Sequence, residues 1–127
     1  MKENFATASQ KAIKSSPLKV MKVTKSISGL KVSQALVLLK YSKLKIASTL
    51  RAIVYSAMSN AENNHNMDVD KLYIKEVRVG RAFALKRFSA RGRGKSSRIL
   101  KTFSNVSVIL SEAEEVKKIN KIKKEEK

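Results

Sequence analysis

The sequence has 127 residues, with 28 Lys and Arg against 10 Asp and Glu and a formal charge of +18. That length sets one domain, and a hydrophobic content of 43% supports a modest core. The lack of cysteine excludes disulfides and thiolate metal sites, the single His65 leaves little for other metal centres, and no apolar run nears the roughly 20 residues of a membrane span.

Taken in order, Met1 to Asn4 leads into no apolar signal core, so secretion is not expected. Residues 4–25 are rich in Lys and Ser without acid, as transit peptides are, yet lack arginine. Phe5 to Ser15 alternates weakly and suits a short strand. Ser16-Pro17 is a helix start: serine can cap free N–H groups, and proline at the first helical position loses nothing by having no donor. This helix runs through Leu18, Met21, Lys22 and Val23 to Ile27, where Gly29 stops it.

A second helix is expected from a Ser33 cap, with Val32 and Val37 stapled across it and Ala35, Leu36 and Leu39 facing inward, to near Tyr41. Ser42 should cap a third and longest helix, about Lys43 to Asn63, with Leu44, Ala47, Leu50, Val54, Ala57, Met58 and Ala61 as its apolar stripe. No acid occurs between Glu3 and Glu62, so the outer faces of all three helices are cationic. Mixed signs would serve solubility better, which points to a partner dense in negative charge. Asn60 to Asn66 reads as helix exit and turn, with His65 a polar turn residue.

Two β-rich segments follow, Leu72 to Val79 and Ile99 to Leu110. Alternation slips between Ile74 and Val77, and again where Ile99, Lys101 and Phe103 give way to Val106, Val108 and Leu110. Paired slips predict a hairpin that bends as it leaves the body. Its distal part, residues 80–98, carries Arg81, Lys86, Arg87, Arg91, Arg93, Lys95 and Arg98, with Lys101 just beyond, inside an acid-free run from Val77 to Ser111. With Phe83, Leu85 and Phe88 as its large apolar residues and its cations repelling one another, the arm is not expected to hold itself together alone. The chain ends in a charged tail, about residues 112–127, with Val116, Ile119 and Ile122 three apart, expected to be partly disordered.

Three lookalike motifs fail on context. Gly94-Lys95-Ser96 matches the end of a nucleotide-binding P-loop, but Ser89 stands where its first glycine is needed and no helix pattern follows. Residues 81–88 loosely echo an aromatic strand of an RNA-recognition motif, whose βαββαβ order this chain lacks. The arm has too few apolar residues and too many glycines for a membrane-active helix. What remains is Lys and Arg for phosphates, Phe83 and Phe88 for stacking on unpaired bases, and Gly92 and Gly94 for close backbone approach.

The chain resembles the bacterial form of the large-ribosomal-subunit protein family called L-twenty-two, over about Ala6 to Leu110. The resemblance is carried by Ser16-Pro17 with Lys19-Val20, by Ile27 and Gly29, by Ala35-Leu36, and by Lys43 with Ala47. It continues through Ser56-Ala57, Asn60-Ala61-Glu62-Asn63-Asn64, Asp70-Lys71-Leu72-Tyr73, Leu85-Lys86-Arg87-Phe88, Ala90-Arg91-Gly92-Arg93-Gly94 and Ile99. The chain departs from the family at Leu18, where arginine is frequent, at Asn105, where histidine is common, and in lacking a Gly-Pro pair near Phe83-Ala84. Its tip run also has glycine and lysine where Arg-Ala repeats are usual.

The resemblance implies an α+β fold: three helices packed on a small antiparallel sheet, with one long protruding β-hairpin at about residues 78–102, inside a single RNA-binding domain of residues 1–111. It implies a structural component of the bacterial-type cytoplasmic large ribosomal subunit that binds large-subunit ribosomal RNA, supports its assembly and reaches the wall of the nascent-polypeptide exit tunnel. The expected RNA contacts are Lys11, Lys14, Ser16, Lys19, Lys22, Lys25, Arg78, Arg81, Lys86, Arg87, Phe88, Arg91, Arg93, Lys95, Arg98 and Lys101. The expected tunnel-facing tip is Arg87, Phe88, Ser89, Ala90, Arg91, Gly92, Arg93 and Gly94. Expected partners are that RNA, neighbouring large-subunit proteins and the nascent polypeptide, with no cofactor, metal, membrane or small-molecule substrate. No constellation of acid, His or Cys supplies a base or nucleophile, so catalysis is not expected. The alternative is an architectural DNA-binding protein with a basic β-arm.

Overall fold

The computed structural model describes residues 4–112. The elements are β1 (Ala6–Ile13), α1 (Pro17–Ile27), α2 (Val32–Tyr41), α3 (Lys45–His65), β2 (Leu72–Ala90) and β3 (Ser96–Glu112), with single 3-10 turns at Val69–Lys71 and Gly92–Gly94. The three strands form one antiparallel sheet in the order β1-β3-β2. This is the expected α+β arrangement of three helices on a small sheet.

One side of the sheet is packed. Ala6, Ile13, Leu72, Ile74, Val106, Val108 and Leu110 meet Val20, Val23 and Ile27 of α1 and Leu50, Ile53, Val54, Ala57 and Ala61 of α3 in a single core. α3 lies against β1 and β3, α1 against β2 and β3, and α2 mainly against α3. Ala47, Ala57 and Ala61 are fully buried or nearly so, and such small residues allow close approach between layers. Gly29, at φ +82, ends α1 and donates its N–H to the Ile74 carbonyl, while Leu30 accepts from Ile74, so the α1–α2 turn pairs with the outer edge of β2.

The helix starts differ from expectation. Ser16 occupies the N-cap of α1 with Pro17 following, but its side chain makes no capping bond. α2 begins at Val32 behind Lys31, so Ser33 lies inside the first turn and is no cap. Val37 is then five residues from the buried Val32, on the opposite face, and is 56% exposed; no staple forms. α3 starts two residues late, at Lys45, with Leu44 at its N-cap; Ser42 Oγ only accepts from the Leu44 N–H at 3.4 Å. Leu44 therefore precedes the helix and is exposed rather than part of the stripe. At the other end α3 continues through His65, and the turn falls at Asn66, held left-handed at φ 50.

The hairpin strands pair from Leu72↔Glu112 out to Ala90↔Ser96. At about 3.3 Å per residue, the 19 residues of β2 span about 60 Å. β1 stops where Ile13 meets Ser104, so beyond that neck the sheet narrows to a two-stranded ribbon. No residue from 75 to 103 is buried. The register shifts between Ile74 and Glu76 and between Arg81 and Ala84 both place the extra residue on β2; a third, between Gln10 and Ile13, is on β1. β3 carries none. Its change of apolar parity, read above as a second slip, marks instead the point where one face stops being buried, at Ser104. The expectation for the tail falls on residues 113–127, outside the described residues.

Candidate nucleic-acid interface

The expected contacts fall on two surfaces. On the body, Lys14 and Ser16 precede or open α1, while Lys19, Lys22 and Lys25 recur every three residues away from its buried face of Val20, Val23, Thr24 and Ile27. The starts of α1 and α3 converge on a cleft of about 440 Å³ lined by Lys14, Ser15, Ser16, Lys19, Lys22, Leu44, Lys45 and Ile46. Four ammonium groups thus surround one concavity. Neither helix has an acid in its first turn or a side-chain cap, so lysines sit beside the positive helix ends. That arrangement costs stability in the free protein and suits a phosphate. Lys45 was not among the expected contacts; its place in the opening turn of α3 was hidden by the early helix start assigned to Lys43. Lys25 and Lys11 are exposed but do not line this cleft.

On the arm, directly paired residues project to the same side of a ribbon. Lys86↔Leu100 and Phe88↔Arg98 therefore share the side that continues from the core, as does Arg81 opposite Ser104. Leu85↔Lys101 and Arg87↔Ile99 share the back. Cations stand on both sides. At the tip, the Arg91 N–H donates to the Lys95 carbonyl at 2.7 Å, Arg93 is left-handed at φ 59 and Gly94 follows at φ +69. Arg91, Arg93 and Lys95 are all exposed there. Two of the arm's guanidinium groups bond within it: Arg87 Nη1 donates to the Lys86 carbonyl at 2.9 Å, and Arg91 Nε donates to Ser97 Oγ at 3.4 Å.

Arg78 differs from the rest. Its guanidinium grips Glu76 through two bonds, Nε to Oε1 at 3.0 Å and Nη2 to Oε2 at 3.2 Å. The hydrogen bond from Arg78 holds the Glu76 carboxyl below the usual glutamate range and raises the guanidinium in turn. Asp68 is likewise held low, first by its bond to Lys71 and then by the Asp70 backbone N–H. Beyond Glu76 the hairpin has no carboxylate of its own until Glu112.

The segment Asn60-Ala61-Glu62-Asn63-Asn64 proves structural in part. Asn60 Nδ2 donates to the Thr7 carbonyl at 3.0 Å, tying α3 to β1, and Ala61 is fully buried. Asn105 accepts from the Ala12 N–H at 3.0 Å, fixing the bulged end of β1 at the neck. No helix among the described residues is long and apolar enough to cross a membrane, and no group of three or more His, Asp or Glu among them is placed to hold a metal.

Comparison with known proteins agrees with this architecture. The family model described as ribosomal protein L22p/L17e matches residues 8–111. The chain is 45% identical over 112 residues to the large ribosomal subunit protein uL22 of Rhodospirillum centenum, covering 88% of this chain and 85% of that protein. It is 47% identical over 107 residues to uL22 of Phenylobacterium zucineum, covering 84% and 85%. Against uL22 of Sinorhizobium medicae it is 44% identical over 114 residues, covering 90% and 88%. With all three helices and nearly all of the sheet and basic hairpin inside the matched span, this chain belongs to the ribosomal protein L22p/L17e family.

Proposed function

We propose that the chain binds large-subunit ribosomal RNA at two surfaces, supports assembly of that RNA, and extends its hairpin tip to the wall of the exit tunnel. The family is one of structural ribosomal proteins, and the chain is not an enzyme. The observation that carries the reading is the distribution of charge on the ribbon. Lys86 and Arg98 lie on one side, Arg87 and Lys101 on the other, and Arg91, Arg93 and Lys95 at the end, with no acid between. A hairpin laid on a flat surface needs cations on one side only. Cations all round fit a strand pair enclosed by phosphates.

The lysine cleft between α1 and α3 gives the body a second grip on the same polyanion. Contacts of this kind position the protein without reading sequence, so RNA shape supplies the specificity. The tip residues Arg87 to Gly94 stand farthest from the body, where the nascent polypeptide would pass, and neighbouring large-subunit proteins complete the set of partners. A cytoplasmic ribosome of bacterial type is the setting this implies.

Two measurements test the reading. The protein should co-sediment with large ribosomal subunits through a high-salt wash, and folded large-subunit RNA should displace it from duplex DNA at fixed salt. Loss from the subunit in the wash, with equal competition by duplex DNA, would favour an architectural DNA-binding role instead.

A further inference from the structure

We propose that the neck of the arm holds a site for one unstacked nucleobase, built on the ring pair Phe83–Phe103; the inference rests on the RNA-binding reading above. The two rings lie 4.6 Å apart at 18° and are stacked. β3 places Phe103 on the back of the ribbon, two residues from Lys101 on the same side. Phe83 reaches that side only through the register shift between Arg81 and Ala84. In an unbroken ladder Phe83 would stand opposite Thr102, on the other side of the ribbon. The extra residue carries it across, which is how a bulge re-aims a side chain.

The pair is not there to fill a core. Phe83 is 48% exposed, Phe103 is half-buried, and the core ends at Ser104. Leu85, paired with Lys101, extends the apolar surface towards the tip. On the root side Gly80 pairs with Asn105, and a Cβ at Gly80 would meet nothing within 4 Å. The stacked rings therefore border open space over Gly80, with Asn105 on the facing strand.

Size and charge select the occupant. The ribbon is two strands wide, with roughly 5 Å between strands, whereas a stable protein interface buries about 800 Å² on each partner. One planar base matches a pair of phenyl rings. Lys101, on the same side two residues from Phe103, would take a flanking phosphate, and the acid-free run from Val77 to Ser111 keeps the surroundings cationic. A base slipped against Phe83 would continue a stack that the protein has already begun.

The test uses the full chain and protein-free large-subunit ribosomal RNA, with affinity measured over a range of salt and unpaired bases mapped by methylation. With the wild type, one unpaired base should be protected. In the Phe83→Leu/Phe103→Leu variant that base should become reactive and affinity should fall about five- to hundred-fold, with the salt dependence unchanged because no cation is removed. Phe83→Tyr, which keeps an aromatic face, should retain the protection. A double-leucine variant with wild-type affinity and an identical protection pattern would overturn the site while leaving RNA binding intact. Failure of the wild type to bind would instead overturn the RNA-binding reading, and the site with it.

Discussion

Among single residues, Glu76 acts as a brake on its neighbour. It takes the Nε and Nη2 donors of Arg78 and sets a carboxylate beside them, so a phosphate reaching Arg78 meets a charge already partly neutralised. Replacing Glu76 by Gln should therefore tighten RNA binding and steepen its log–log salt dependence by about 0.7–0.9, the increment for one more phosphate neutralised. The same variant has a pH signature. The Glu76 carboxyl is lowered in the folded protein, first by the Arg78 hydrogen bond. Its contribution to stability is present above the ordinary glutamate range and is lost as pH falls through the lowered value. Denaturant unfolding of Glu76→Gln at a series of acidic pH values should show a shallower loss than the wild type. The remaining loss includes that of Asp68, whose carboxyl is lowered in the same way. Both carboxylates are exposed, so the effect is small.

Residues also mark what the sequence could and could not convey. Ser16-Pro17, Gly29 and the apolar stripe of α3 were legible because each acts within one turn of chain. The starts of α2 and α3 were not: Ser33 and Ser42 have capping chemistry, but burial of Val32 and Ala47 decides where those helices begin. Phe83 facing Phe103 was out of reach altogether. That pairing depends on an extra residue in one strand of the ladder, and alternation alone does not say which strand of a hairpin holds the bulge.

At the level of elements, the hairpin divides at the neck. Below it, Val77 and Val79 pack against the core and β1 adds a third strand. Above it, the ribbon has its own ladder, the Phe83–Phe103 pair and the exposed hydrogen bonds of Arg87 and Arg91. An isolated pair of strands is marginal in water, and this one also repels itself. Replacing Arg91, Arg93 and Lys95 together by Ala should leave thermal unfolding of the body unchanged. It should weaken RNA binding and flatten the salt dependence by about 0.7–0.9 for each phosphate that is no longer neutralised. An unaltered salt slope would put all three away from phosphate, on the tunnel side of the tip. Arg93 adds a conformational point: a non-glycine residue in the left-handed region costs about 1–2 kcal/mol, a cost accepted where its cation is wanted.

For the whole molecule, the deciding feature is the strand order. β1 and β2 both pair with β3, with only marginal contact between each other, so β3 is the centre of the sheet although it comes last among the described elements. It also supplies Val106, Val108 and Leu110 to the middle of the core. A chain ending at residue 95 keeps all three helices and most of the hairpin's charge, yet has no sheet to pack them on. Circular dichroism of that fragment should show no cooperative thermal transition; a sharp one would mean that the helices close a core unaided.

The placement of β3 sets a clock on synthesis. As the chain emerges from the ribosome that makes it, β1 appears first and waits through about ninety residues for the strand it pairs with. The arm is complete, cationic and unsupported before the body can close behind it. Residues 96–112 are thus a latch made after every other described element, and until they arrive the newborn chain offers RNA its charge without its shape.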